Sequence, residues 1–290
     1  MKTKPKLIIL VGIPASGKSE YAKTLLNDNT ILLSSDSLRK ALLGSESDQS
    51  NNELVFSTLY KRAKALLIEG KNVIIDATNV SMKDRKRTLC NFQKLDIERI
   101  AIFMATPYEV CIERDLNRNR TVGERIIMKF VYKFEIPMEF EGFDKIEKIT
   151  FNKQYYNIND IILKMNDFDQ KTPHHKYTLG VHCYKFSKLA GDNTLLSNVG
   201  LLHDIGKLYT QTFDEKGVAH YYQHHNVGAY ILSCLDLERD IVFYVNYHMH
   251  PFNWKEQKTH DKYKELFGET YYNNLILLNK FDKEASGRNE

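Results

Sequence analysis

The residues Leu201-Leu202-His203-Asp204-Ile205-Gly206-Lys207 set an imidazole beside a carboxylate inside an apolar run. A buried carboxylate is costly unless it is paired or holds a cation. The couple is therefore either a hydrogen-bonded core pair or part of a metal centre. His182 lies 21 residues before His203, and His224, His248 and Asp282 follow. All 10 histidines fall after residue 170 and none before it, a segregation that points to metal binding or acid–base work. Imidazoles mixed with carboxylates suit Mn²⁺, Fe²⁺, Ni²⁺, Co²⁺ or Zn²⁺ and do not choose among them.

A second chemistry lies at the other end of the chain. Gly12-Ile13-Pro14-Ala15-Ser16-Gly17-Lys18-Ser19 matches G-x-x-x-x-G-K-[ST], placed after an apolar run and before a helical pattern. The glycines let the backbone curl so that several N–H groups face one anion at a helix N-terminus. In that geometry Lys18 reaches β- and γ-phosphates and Ser19 binds Mg²⁺.

Three further segments carry charge where such a site needs it. In Ser34-Ser35-Asp36-Ser37-Leu38-Arg39, either Ser34, Ser35 or Asp36 merely caps a helix, or Asp36 acts as general base for an acceptor hydroxyl, with Arg39 one turn on gripping the acceptor's phosphate. Asp76 ends an apolar strand in the manner of a Walker-B carboxylate; it and Asn79 act on the metal or its waters, or cap the next helix. Arg114, Arg118 and Arg120 form either a solvated face or a lid over the transferring phosphoryl group.

These residues need scaffolds of two kinds. Apolar runs at 6–12, 30–35, 72–77 and 99–105 alternate with helical patterns at about 17–27, 52–69, 81–94 and 107–117, which predicts βαβ units and a parallel sheet. Beyond about residue 170 the patterns are amphipathic helices with no convincing strand. The polar stretch 165–175, containing Pro173, is expected to be the linker, dividing a domain at 1–152 from one at 170–290.

Composition sets the outer bounds. At 290 residues, 42% hydrophobic and 27% charged, the chain suits two folded domains. Residues 1–150 hold 25 Lys+Arg against 20 Asp+Glu, a surplus of 5 within a chain of net charge +4, which suggests an anionic partner for that half. The four cysteines form no C-x-x-C pair, which argues against a disulfide scaffold and for the cytoplasm. The apolar N-terminal run is too short for a signal peptide and leads into the phosphate loop, and no stretch is long enough to span a membrane.

Over residues 6–150, G-x-P-x-S-G-K-S, S-x-D-x-x-R, D-x-T-N and the arginine-rich segment resemble the kinase domain of phage and bacterial 5′-hydroxyl polynucleotide kinases. The resemblance implies an α/β P-loop kinase domain using ATP with Mg²⁺, with Asp36 as general base, Arg39 on the substrate phosphate and Arg114, Arg118 and Arg120 at the donor's phosphates. Some members read S-D-T-N where this chain reads Asp76-Ala77-Thr78-Asn79, so the acidic position is displaced. Over residues 172–287, the pattern H…HD…D resembles the HD superfamily of metal-dependent phosphohydrolases. That implies an all-α domain in which His182, His203, Asp204 and Asp282 hold a divalent metal. His224 and His248 stand where members place further ligands, Lys207 is a candidate for substrate phosphate, and His175 and His220 are weaker candidates.

Together the two resemblances imply healing of broken RNA or DNA ends. One site would phosphorylate a 5′-hydroxyl and the other would remove a 2′,3′-cyclic or terminal phosphate, ahead of a separate ligase. A nucleoside or small-molecule kinase fused to a nucleotide phosphohydrolase is the enzymatic alternative. A nucleotide-controlled RNA-binding switch is the non-enzymatic one.

Overall fold

The computed structural model describes residues 4–151, 155–173 and 175–287. Its chain divides into two compact units, residues 1–130 with 137–152, and residues 131–136 with 153–290.

The first unit is built on β1 (Lys6–Val11), β2 (Thr30–Ser34), β3 (Asn72–Asp76), β4 (Glu98–Ala105) and β5 (Lys145–Thr150), all parallel, in the order β2-β3-β1-β4-β5. Around them run α1 (Lys18–Thr24), α2 (Ser35–Leu43), α3 (Asn52–Ile68), α4 (Met82–Cys90), α5 (Tyr108–Leu116) and α6 (Glu124–Val131). Leu7, Ile9 and Val11 are buried on one side of β1 and Ile8 and Leu10 on the other. Burial on both faces is why the central strands read as continuous apolar runs with no alternation.

β5, Lys-Ile-Glu-Lys-Ile-Thr, is the strand that the apolar pattern does not show. It lies at the sheet's edge with only partial burial, so lysines and glutamate are tolerated there and help protect the open edge. The order places the C-terminal ends of β2, β3 and β1 side by side. In an α/β sheet these ends and the reversal of strand order form the ligand crevice.

One buried ion pair stiffens this end of the sheet. Arg85 on α4 is fully buried and binds Glu141 through two hydrogen bonds of 2.7 Å, while its Nη1 donates to the carbonyls of Asn79 (3.1 Å) and Val80 (3.0 Å). Asn79 has φ +47°, a left-handed backbone that a non-glycine residue keeps only when its surroundings hold it. Arg85→Ala should therefore destabilise the first unit by about 3–5 kcal/mol, since it strands a buried carboxylate. Calorimetry checks this, while fluorescence of Trp254, the chain's one tryptophan, follows the second unit.

The second unit holds α7 (Ile158–Asn166), α8 (Leu179–Leu189), α9 (Thr194–Leu202), α10 (Lys207–Thr210), α11 (His224–Ser233), α12 (Arg239–Tyr247), α13 (Gln257–Phe267) and α14 (Glu269–Ala285). It also contains a short antiparallel hairpin, β6 (Gln211–Phe213) with β7 (Ala219–Tyr221), which helical patterning had concealed. Three-residue strands offer too few positions for a period of two to show.

Residues 165–173 do not behave as a free linker. α7 ends at Asn166, and Gln170 is 1% exposed with its side chain bonded to Lys207 and to the Tyr177 carbonyl. Residues 131–136 join this unit because Asn246 clasps them, accepting from Ile136 N (2.9 Å) and donating to Phe134 O (2.9 Å). Among the described residues no helix is long and apolar enough to cross a membrane.

Candidate phosphate and metal sites

The phosphate loop follows β1 and opens α1. Gly17 occupies the helix's N-cap position at φ +94°, with no side chain capping the first turn, so the backbone N–H groups there are left for an anion. A side chain at Gly12 would bring a Cβ within 2.6 Å of Ser16 Oγ, which is itself buried and without a partner in the loop. Lys18 is buried, its ammonium donates to Ile13 O at 2.8 Å, and burial lowers its pKa. Ser19 Oγ donates to Asp76 Oδ2 at 2.7 Å. β3 lies next to β1, so its last residue falls beside the loop; despite the displaced motif, Asp76 occupies the Walker-B place relative to Ser19.

The helix caps decide several open alternatives. Ser34, not Asp36, caps α2 by accepting from Ser37 N, and Ser81, not Asp76 or Asn79, caps α4. Asp36 is left free at the surface, its side chain 57% exposed, bonded to Arg39 Nη1 at 2.7 Å. Arg39 is buried and also donates to Asn52 Oδ1 at 3.0 Å, while its Nε has no partner. Asn79 points inward, its amide donating to Leu10 O at 2.9 Å, so it ties the loop after β3 to β1.

The three arginines separate. Arg114 on α5 reaches across the phosphate loop to Ala15 O at 3.5 Å, and Arg118 pairs with buried Asp115, which also accepts from Val122 N and Gly123 N. Arg120 reaches Glu46, with Asp36 at 3.9 Å.

In the second unit six side chains from five segments converge. His182 comes from α8, His203 and Asp204 from the turn closing α9, His224 from the start of α11, His248 from the end of α12 and Asp282 from α14. All six are buried. Gly206 permits the approach: a Cβ there would stand 1.9 Å from His224 O and 2.7 Å from Gly228 N, so only glycine lets this turn lie against α11.

Asp204 divides the cluster. Its Oδ2 lies 3.5 Å from His182 Nε2 and 3.3 Å from His203 Nε2, with Asp282 Oδ1 3.2 Å from His182 Nε2. Its Oδ1 lies 3.1 Å from His224 Nε2 and 3.6 Å from His248 Nε2.

The hydrogen bonds behind these rings settle what the front atoms are. His203, His224 and His248 each direct Nδ1 to a backbone carbonyl three residues earlier, at 2.9, 2.8 and 2.8 Å. A carbonyl only accepts, so Nδ1 carries a proton and Nε2 is the atom each ring can offer to a metal. These Nε2 atoms face carboxylate oxygens, and His224 Nε2 and His248 Nε2 are buried without a hydrogen-bond partner. Neighbouring ligands bound at about 2.1 Å from one ion stand about 3.0–3.4 Å apart, close to the spacings here. The donor set fits divalent metal on both sides of Asp204, and His182-His203-Asp204 and Asp204-His224-His248 each bring one ligand atom per residue within 4.8 Å.

The electrostatics agree. Burial opposes charge on His182, but Asp204 and Asp282 raise its pKa to about 9, so the pocket draws in positive charge. Against the same burial, the Lys207 ammonium holds Asp204 well below the usual carboxylate range.

Residues 7–137 match the AAA domain family model and residues 175–286 the HD domain model. The chain joins a P-loop kinase-type domain to an HD domain. The L-seryl-tRNA(Sec) kinase of Methanococcus maripaludis is 27% identical over 56% of this chain and 66% of its own length. The bifunctional polynucleotide phosphatase/kinase of Schizosaccharomyces pombe is 24% identical over 50% of this chain and 34% of its own. A chain in the solved Pnkp1/Rnl/Hen1 RNA repair complex is similar at 27% identity and a TM-score of 0.42, over 46% of this chain and 45% of that one. The chain thus spans two thirds or less of each.

A P-loop kinase domain takes a nucleoside triphosphate with Mg²⁺, and an HD domain a divalent metal. Within the HD domain the weaker candidates part company. His175 Nε2 stands 3.1 Å from Lys207 Nζ, next to the cluster, whereas His220 lies on the hairpin and pairs with Asp214 at 3.3 Å. Lys207 is buried and occupied by Asp204 (2.6 Å), Gln170 (2.8 Å) and His175. His225 and His250, not singled out from the sequence, each place a ring 6.2 Å from a neighbour in this group, His225 from both His248 and His250. The spacings His224-His225 and His248-x-His250 were the signals available for them.

Proposed function

We propose that this protein heals nucleic-acid ends. Its P-loop domain transfers the γ-phosphate of ATP to a 5′-hydroxyl, and its HD domain hydrolyses a 2′,3′-cyclic or terminal phosphate with Mn²⁺, Ni²⁺, Co²⁺, Fe²⁺ or Zn²⁺. The observation that carries the reading is the pairing, on one chain, of an Asp36–Arg39 couple open to an acceptor with a buried cluster of four histidines and two aspartates. The fission-yeast relative, matched over 50% of this chain, is named a polynucleotide phosphatase/kinase, which supports a polynucleotide as the substrate.

In the kinase reaction Lys18 and the α1 amides hold the donor's phosphates, and Ser19 and Asp76 hold Mg²⁺. Arg39 grips the acceptor's own phosphate. Asp36 takes the proton from the 5′-hydroxyl as it attacks in line. Arg114, which crosses the phosphate loop, neutralises the donor's phosphates, while Arg118 and Arg120 do so only on leaving Asp115 and Glu46. A divalent metal bound in the HD domain would supply Lewis-acid activation of water and of the phosphoryl group. His182, His203 and Asp282 would hold it on one side of Asp204, and His224 and His248 on the other. Lys207 fixes Asp204 through the 2.6 Å ion pair, and with Gln170 and His175 taking its other donors it would meet a substrate phosphate only by releasing one of them. The products, a 5′-phosphate and a freed 3′ end, are what a separate cytoplasmic ligase consumes.

The test is direct. Purified protein with ATP, Mg²⁺ and Mn²⁺ is given an oligonucleotide bearing a 5′-hydroxyl and a 2′,3′-cyclic phosphate, and both ends are mapped by mass. A gained 5′-phosphate and an opened or cleared 3′ end are expected; both ends unchanged overturns the proposal. Competition by nucleosides stronger than by oligonucleotides would instead identify a small-molecule kinase.

A further inference from the structure

The groove that holds Asp36 and Arg39 continues between α3 and α4 to a volume of about 780 Å³. Phosphate transfer to a hydroxyl beside Arg39 does not use this extension. Phe56 and Tyr60 line it, one turn apart on α3, with ring centroids 6.0 Å apart and planes tilted by 41°. Tyr60 is held in place by its hydroxyl, 3.0 Å from Thr88 Oγ1 on α4, and by an edge contact with Phe92. Arg87, next to Thr88, and Asn91 line the same stretch. Among the described residues the Arg87 guanidinium has one ion-pair partner, Asp84 at 3.9 Å, and its side chain is 58% exposed. The pair is long and solvent-exposed on both sides, so it holds Arg87 only weakly.

An aromatic wall followed by an uncommitted guanidinium matches the repeat of a single strand, base then phosphate. Stacking on aromatic faces tolerates any base, and a phosphate contact sets register without reading sequence. We infer that this extension is the subsite for the second nucleotide of the acceptor, with Phe56 and Tyr60 taking a base and Arg87 the phosphate beyond the one at Arg39. The inference rests on the kinase reading, in which the strand's 5′-hydroxyl lies at Asp36. It makes the acceptor a strand of two or more nucleotides and ranks a lone nucleoside 3′-phosphate as a poor one.

Steady-state kinetics with a nucleoside 3′-monophosphate, a dinucleotide 3′-phosphate and a hexanucleotide test it, on wild type, Arg87→Ala and Arg62→Ala. Arg62 is an exposed arginine of α3 that does not line the groove, so its variant controls for loss of charge. Wild type should favour the dinucleotide over the mononucleotide by about tenfold or more in kcat/KM, the worth of one charge-assisted contact. Arg87→Ala should raise KM about tenfold for the two longer acceptors and leave the mononucleotide's KM and every kcat unchanged. Arg62→Ala should match wild type. Equal effects of Arg87→Ala on all three acceptors, or none on any, overturn the subsite while the kinase reading stands. Absence of phosphorylation on every acceptor by wild type overturns that reading itself.

Discussion

Asp204→Asn should emerge from purification stripped of divalent metal on both sides of the cluster, with phosphoesterase activity reduced more than about 100-fold. Loss of a residue that merely orients a ligand costs 10- to 100-fold, and in the proposed site Asp204 would be a shared ligand: Oδ2 lies beside His182 and His203, Oδ1 beside His224 and His248. A neutral amide supplies one acceptor where two anionic oxygens stood, and its NH₂ group faces lone pairs. Metal analysis on the purified protein is the primary readout, because it does not depend on the substrate chosen.

The same substitution also leaves Lys207 buried and without its carboxylate, 2.6 Å away in the native protein. A buried charge stranded in this way costs about 3–5 kcal/mol, so instability and loss of metal would be confounded. Asp204→Asn with Lys207→Met separates them: removing both charges should recover most of the thermal stability and none of the metal. Recovery of metal in the double variant would show that Asp204 acts on the fold alone. Kinase activity should be unchanged in both.

How much of this could be read from the sequence depends on whether the chemistry is local. The phosphate loop is eight contiguous residues whose backbone shape is specified by Gly12 and Gly17, so the motif and the geometry coincide. His203 and Asp204 are adjacent and declare themselves in the same way. Asp282 is different: it lies 78 residues beyond Asp204, and only the packing of α14 brings it within 3.2 Å of His182. The family pattern pointed to it, and nothing in its own surroundings did.

What escaped the sequence is what tertiary contact alone creates. β5 is legible as a strand only once β4 stands beside it, since an edge strand can carry Lys145, Glu147 and Lys148. Residues 165–175 look like a connector because they are polar, yet Gln170 is buried precisely where Lys207 needs an acceptor. The functional ambiguity at Asp36 had a comparable source. Ser34, Ser35 and Asp36 are equally good caps by composition, and only the observed bond from Ser37 N to Ser34 releases the carboxylate.

That release makes Asp36→Asn the sharpest test of the kinase. The carboxylate is 57% exposed and caps nothing, but it is the ion-pair partner of buried Arg39, so the substitution should cost about 1–3 kcal/mol of stability. Its partner Arg39 is buried and fixed by Asn52, so the guanidinium keeps its place when the carboxylate becomes an amide. An amide cannot take a proton, and loss of a positioned general base lowers kcat about 10²- to 10⁴-fold. Nucleotide affinity should be retained, because Lys18, Ser19 and the α1 amides do not depend on Asp36. Lys18→Ala should show the opposite pattern, with nucleotide binding itself lost. Both variants should keep phosphoesterase activity. Equilibrium binding of a labelled nucleotide beside single-turnover phosphorylation distinguishes the two. If Asp36→Asn transfers phosphate at the wild-type rate, the base lies elsewhere and Asp36 serves only to hold Arg39.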